Sequence, residues 1–189
     1  MSISKELLIR CRKKEKKAQF ELYQDCYEFL MRICLRYEKN EDDAHAVLNL
    51  AFLKILNSLK HHNQKIPFEI WCKRITINTI IDEFRKNKKY KEYMQFGELD
   101  ENGELEGNVL SEAENNLTAE DIEKMLQALP AMNRKIFNLH VIDGYTHKEI
   151  GQMMNISDGT SKWHVSNARS KLQQVLRQSF MMMINAITL

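Results

Sequence analysis

Lys162, Trp163, Ser166, Asn167, Ser170 and Lys171 share one side of a stretch whose other side is apolar. Ser161, Val165, Ala168, Leu172 and Val175 recur at spacings of four, three, four and three, the interval that stacks side chains on one face of an α-helix. The outer face then presents ammonium, hydroxyl and carboxamide groups, whose chemistry is hydrogen bonding to phosphates and base edges. A second group lies near the middle of the chain, where Arg85, Lys86, Lys88, Lys89 and Lys91 interleave with Phe84, Tyr90 and Tyr93. Cations track phosphates while rings accept unstacked bases, so this run suits a single nucleic-acid strand. A solvated helix end has the same composition.

Bond-breaking chemistry finds no comparable constellation. The glycines are scattered through turns rather than gathered in a phosphate-cradling loop, and no serine sits in a nucleophile elbow. His61 and His62 are adjacent and cannot easily aim at one metal, while His45, His140, His147 and His164 lack ligand spacing with any cysteine. Asp42-Asp43 reads as a helix start before an acid/base pair. No metal and no cofactor is expected, and the chain is not read as an enzyme.

The elements that position the first group are a pair of short helices. Thr146 caps one, with Glu149 at the capping-box spacing, and Ile150, Met153 and Met154 form its apolar stripe. Asn155 ends it, since asparagine tolerates the left-handed conformation, and Ser157 caps the next. This is the helix-turn-helix pattern. Toward the N-terminus, Ser4 caps a helix carrying Leu7, Leu8 and Cys11, followed by the basic run Arg10 to Lys17, which is either a solvated helix end or a contact with an acidic partner. Phe20, Tyr23, Tyr27, Leu30, Met31 and Cys34 mark a second helix. Asn40 to Asp43 starts a third, with Ala44, Val47, Leu48, Ala51, Phe52, Ile55, Leu56 and Leu59 inward. After a polar loop over Asn57 to Ile66, Pro67 opens a fourth that carries Phe68, Trp71, Ile75 and Ile81 and runs to about Arg85. Gly97 to about Glu123 holds many carboxylates and no Lys or Arg, the make-up of a flexible tether. Leu117 to Leu129 resumes helix with Ile122, Met125, Leu126 and Leu129 inward.

The expected fold is therefore all-α: two small helical domains, residues 1–92 and 118–180, an acidic linker over 93–117, and a tail over 181–189 that extends the last helix or packs on itself. The 189 residues, 43% hydrophobic and 29% charged with 2 Pro and 6 Gly, agree with that class. The formal charge of +2 gives no bulk attraction to nucleic acid, so any affinity must come from how charge is distributed. The 4 cysteines, Cys11, Cys26, Cys34 and Cys72, show no paired spacing and read as reduced thiols. With no apolar leader and no run of membrane-spanning length, a cytoplasmic protein without membrane insertion is expected.

Leu129-Pro130, Arg134, Phe137, Gly144-Tyr145, Lys148-Glu149-Ile150, Ile156-Ser157, Gly159-Thr160, Lys162, Ala168-Arg169 and Leu172 resemble the promoter-reading domain of bacterial sigma factors of the extracytoplasmic-function type. Tyr23, Arg36-Tyr37, Asp43-Ala44, Phe52-Leu53-Lys54, Phe68, Trp71, Arg74-Ile75, Asn78, Asp82 and Arg85-Lys86 resemble the promoter-melting, polymerase-binding domain of the same family. The two matches fall in the family's order and span nearly the whole chain.

The resemblance implies a factor that binds core RNA polymerase, recognises a two-part promoter and promotes DNA opening. Arg134, Lys148, Thr160 and Arg169 would hold phosphates or frame the minus-35 element, and Lys162, Trp163, Ser166 and Asn167 would face its bases. There Lys donates to guanine and Asn can pair bidentately with adenine. Trp71, Lys73, Arg74, Asn78, Arg85 and Lys86, with Thr76 among their neighbours, would serve the minus-10 element, Trp71 as a stacking ring or as core. Asp42, Asp43, Asn49 and Phe52 would meet the polymerase, and an anti-sigma protein is a further implied partner. The sequence departs from the family in two places. Ala46, Asn49 and Leu50 replace a small acidic and amide cluster, and His164 and Asn167 stand where the family often has arginine. Two other readings share these features: an autonomous helix-turn-helix regulator, and a polymerase-binding protein without promoter activity.

Overall fold

The computed structural model describes residues 3–94 and 119–187, and every regular element in them is helical. The chain divides into two units, Met1–Gln95 and Phe96–Leu189. The linker expected over 93–117 falls almost wholly outside the described residues, as do Thr188 and Leu189 of the tail.

The first unit packs four helices: α1 (Lys5–Arg12), α2 (Lys16–Tyr37), α3 (Glu41–Ser58) and α4 (Phe68–Met94). Ser4 caps α1, accepting from the Leu7 amide at 3.1 Å, and Asn40 caps α3, accepting from Asp43 at 2.8 Å. Glu41, Asp42 and Asp43 complement the positive end of α3. Its buried face is the one the spacing predicts, with Ala44, Val47, Leu48, Ala51, Phe52 and Ile55 inside.

In α2 the stripe is partly displaced: Phe20 is 63% exposed, and the buried line runs through Ala18, Leu22, Cys26, Leu30, Met31, Ile33, Cys34 and Tyr37, which pack against α3 and α4. The basic run after α1 is partly consumed by the fold: Arg10 pairs with Glu15 and Glu21, and Arg12 donates to the Leu59 carbonyl at 3.3 Å. Of the polar loop expected over Asn57 to Ile66, Asn57 and Ser58 instead end α3; a 3₁₀ turn, Leu59–His61, follows, and His62 is hidden. The His62 ring meets Phe68 and Trp71 at 5.4 and 4.9 Å, and its Nε2 bonds the Ile66 carbonyl at 2.9 Å. Helix α4 runs nine residues past Arg85 and buries Cys72, Ile77, Ile80 and Ile81, with Trp71 and Ile75 only half inside. Buried Thr76 and Thr79 satisfy their hydroxyls on the carbonyls four residues back. All four thiols are buried.

The second unit comprises α5 (Ala119–Gln127), α6 (Ala131–Phe137) continued by a π-helical turn (Asn138–Ile142), α7 (His147–Met154) and α8 (Asp158–Ile187). Met125, Leu126 and Leu129 face inward, but Ile122 is 49% exposed, a correction to the expected stripe. Leu126 and Leu129 pack with Ala168, against which Phe137 and Leu172 close, while Met125 meets Val175. The helix pair is built as its caps dictate. Thr146 and Glu149 form a reciprocal capping box, and Asn155 ends α7 in the left-handed region at φ 56°. Ser157 then accepts from the Thr160 amide at 3.0 Å to start α8. The tight turn depends on Gly151, where a Cβ would lie 2.8 Å from the Ile156 carbonyl oxygen. Helix α8 carries on to Ile187, so most of the tail continues it.

Candidate nucleic-acid interface

In the second unit, the outer face of α8 carries Thr160, Lys162, Ser166 and Arg169, all exposed, and Trp163 at 53% exposure. Lys148 is exposed on α7. These six residues form a surface that is cationic and rich in donors, as their spacing predicts. Trp163 rests edge-on against His164, with ring centroids 4.9 Å apart.

Two of the expected contacts are placed differently. Arg134 is 3% exposed and donates to the Gln127 carbonyl at 3.0 Å, so it satisfies the C-terminal end of α5 rather than lining the open face. Asn167 is half-buried, and its Oδ1 accepts from Asn133 Nδ2 at 2.6 Å. Asn133, on α6 and 5% exposed, also accepts from His164 Nδ1 at 2.6 Å through its own Oδ1. The carboxamide of Asn133 thus ties His164 and Asn167 together. Sequence reasoning missed Asn133, because in a seven-residue helix where Arg134 and Lys135 follow it, a buried polar residue gives no periodic signal.

A histidine pair adjoins this surface. His140 in the π-helical turn and His147 at the start of α7 stack with centroids 4.0 Å apart and planes 27° from parallel. His140 Nδ1 bonds the Tyr145 carbonyl at 2.9 Å, and His147 Nδ1 bonds the buried hydroxyl of Ser161 at 3.0 Å. Desolvation, then repulsion from His140, Lys162 and Arg169, holds the His147 pKa below its usual value against the weaker opposite pull of Asp158.

In the first unit, Trp71, Arg74, Asn78 and Arg85 fall at helical intervals along one face of α4, with Arg74 and Asn78 exposed and Trp71 and Arg85 half-exposed. Asp82 interrupts that line, and Lys54 pairs with it at 3.2 Å. Lys73 is half-buried one step around the helix, and Lys86 is exposed beside Glu83 at 2.6 Å. Thr76, expected among these residues, is wholly buried. Trp71 belongs to an aromatic cluster, its ring tilted against Phe68 with centroids 5.6 Å apart, and is only half-buried. The side chains of Lys88, Lys89, Tyr90, Lys91 and Tyr93 lie outside the described residues.

On α3, Asp42, Asp43 and Asn49 are exposed, and Asn49 accepts from the Tyr23 hydroxyl at 3.0 Å. Phe52 is instead 7% exposed and packs edge-on against Tyr23 at 5.0 Å, so it shapes this face from beneath. Leu50 and Leu53 are 42% and 55% exposed beside them. Among the described residues no group of three His, Cys, Asp or Glu is arranged to hold a metal, and no helix is long and apolar enough to cross a membrane.

Comparison with known families matches residues 22–90 to sigma-70 region 2 and residues 119–172 to sigma-70 region 4, together well over half of the chain. The chain is 26% identical to the ECF RNA polymerase sigma factor SigW of Bacillus subtilis, over 91% of this chain and 98% of that protein. It is 24% identical to the ECF RNA polymerase sigma factor SigE of Mycolicibacterium smegmatis, over 82% of this chain but 60% of that longer protein. Among solved structures, the sigma factor RpoE of Bartonella quintana, crystallised with the anti-sigma factor NepR, shares the fold with a TM-score of 0.50 and 20% identity, over 83% of this chain and 97% of its own.

Proposed function

We propose, for a chain that belongs to the sigma-70 family of RNA polymerase sigma factors and within it to the extracytoplasmic-function type, that it directs core polymerase to a two-part promoter and helps open the DNA. The observation that carries this reading is the exposed, donor-rich face of α8 in a unit whose capped helix pair matches region 4, alongside a cationic face on α4 in a unit matching region 2. Lys162, Trp163, Ser166 and Asn167 face the bases of the upstream element, while Lys148 and Arg169 hold its phosphates with charges and Thr160 with a hydroxyl hydrogen bond. Arg134 supports that surface from within. Arg74, Asn78, Arg85, Lys73 and Lys86 follow the downstream element as it opens, with the exposed edge of Trp71 available to an unstacked base. Asp42, Asp43 and Asn49 dock on the polymerase, beside a patch that Leu50 and Leu53 make more apolar. The chain carries out no reaction of its own, works in the cytoplasm where the polymerase is, and is open to control by an anti-sigma protein covering these faces.

Run-off transcription with purified core polymerase on the gene's own upstream DNA tests the reading. Discrete transcripts that require the chain support it; a chain that neither binds core nor starts transcription, yet shifts duplex DNA alone, is an autonomous regulator instead. Within an active holoenzyme, Lys162→Ala should weaken promoter binding by about 1–3 kcal/mol and relax preference at one base pair.

A further inference from the structure

The hydrogen bonds around Asn133 have a direction. A carboxamide oxygen can only accept, so the 2.6 Å contact between His164 Nδ1 and Asn133 Oδ1 carries its proton on the histidine. With its oxygen on His164, the Asn133 amide turns its nitrogen to Asn167, where it donates to Oδ1, again at 2.6 Å. The oxygen of Asn167 is thereby turned inward to Asn133, and its amino group is the end turned away for another partner. Bidentate recognition of adenine needs both ends at once, a donor for N7 and an acceptor for the N6 amino group. Two of its neighbours on α8 have the same polarity: Lys162 offers donors and no acceptor, and the indole of Trp163 offers one donor, while the hydroxyl of Ser166 can serve either way.

We infer that Asn133 is a positioning residue that makes Asn167 a hydrogen-bond donor toward the major groove, so that the base under Asn167 is read as an acceptor. Guanine, with O6 and N7 side by side, is favoured there; cytosine, which presents its N4 amino group, is rejected. The inference rests on the promoter-reading role of α8 proposed above. It also gives His164 and Asn167 a common role: a buried amide wires the two together into a single reading head. Donor polarity, which arginine has intrinsically, is here imposed from α6.

The test uses holoenzyme assembled from core polymerase and the full chain, in competition binding against duplexes bearing each of the four base pairs at every position of the upstream element. Asn167→Ala identifies the pair in question as the one whose identity stops mattering. Asn133→Asp replaces the donor with a carboxylate that accepts from both His164 and Asn167. The Asn167 amide must then turn over and show its oxygen to the groove. The expected result is a shift of preference from guanine toward cytosine or adenine of about 5- to 100-fold, abolished in the double variant with Asn167→Ala. Asn133→Ala, which places no charge in the interior, should narrow the guanine-over-cytosine preference as the amide turns freely. Wild-type preference for adenine at that pair, or a preference unmoved by both Asn133 variants in a sequence-specific complex, overturns the inference alone. If no polymerase-dependent complex forms on any duplex, the inference falls together with the reading beneath it.

Discussion

His147 shows how a single side chain couples the stability of the second unit to pH. Its neutral ring stacks on His140, bonds Ser161 and faces Lys162 and Arg169, with Asp158 as the one opposing charge, so protonation is disfavoured in the folded state. The folded pKa lies below the ordinary value of 6.5, and the unfolded chain therefore binds the proton first. The associated stability is fully present above about pH 6.5 and is lost as pH falls through the folded value. Urea denaturation followed through Trp163 in a Trp71→Phe background should show the second unit weakening between pH 7.5 and 5.5, and His147→Gln should lessen that dependence. An equal slope in both proteins would exclude the pair as its source. At this scale, residue type was legible and direction was not. Lys162 and Ser166 lie outside as their spacing implies, whereas Arg134 and Phe52 carry group chemistry suited to a partner and spend it inside the fold. Nothing in the identity of an arginine says that a helix end seven residues earlier needs its donors.

The elements follow from local rules wherever a cap or a turn fixes them. Thr146, Glu149, Asn155 and Ser157 were sufficient to place α7 and α8, because Thr146, Glu149 and Ser157 satisfy backbone amides at the helix starts and Asn155 takes the left-handed conformation that ends α7. The same turn yields a sharp contrast between two glycines. Gly151→Ala would push a methyl to 2.8 Å from a backbone oxygen and should destabilise the second unit by about 1–3 kcal/mol, whereas Gly159→Ala meets only the Ser157 hydroxyl at 3.6 Å and should cost nothing measurable. Parallel urea titrations of the two variants decide this. Periodicity alone did less well. In α2, two registers at three- and four-residue spacing share several members, and bulky Phe20 pointed to the wrong one, since the true seam includes small side chains such as Ala18 and Cys26; in α5 the register held and only Ile122, at its N-terminal end, lies outside. The extension of α4 past Arg85 is a charged run without apolar periodicity, and its helicity rests on the high helix propensity of Lys and Glu.

For the whole molecule, composition sufficed for the all-helical class, and the order of the two matched regions for the division of labour. Two weak DNA-binding units on one chain gain affinity only when something fixes their separation, which raises the effective concentration of the second site once the first is engaged. The chain alone should therefore bind its two-part promoter poorly and without sensitivity to spacer length. In the holoenzyme, five extra base pairs between the elements rotate one by about half a turn relative to the other and should reduce initiation at least about tenfold, with core binding unchanged. Footprinting and abortive initiation on spacer variants measure both. Initiation indifferent to the insertion would separate the two units' roles.

The burial of all four cysteines in the first unit has a practical corollary. Burial raises the Cys11 thiol and pushes Cys34 up to about 12, and Cys72 is raised first by its hydrogen bond with Cys26 and then by burial, so the reactive thiolate is scarce while the unit is closed. Alkylation can proceed only as fast as the helices part. The second unit has no cysteine at all. A maleimide or iodoacetamide time course is thus a built-in clock for opening of one half of the chain and blind to the other. Slowed labelling on adding core polymerase would time how firmly that half is clasped, with no probe attached and no residue changed.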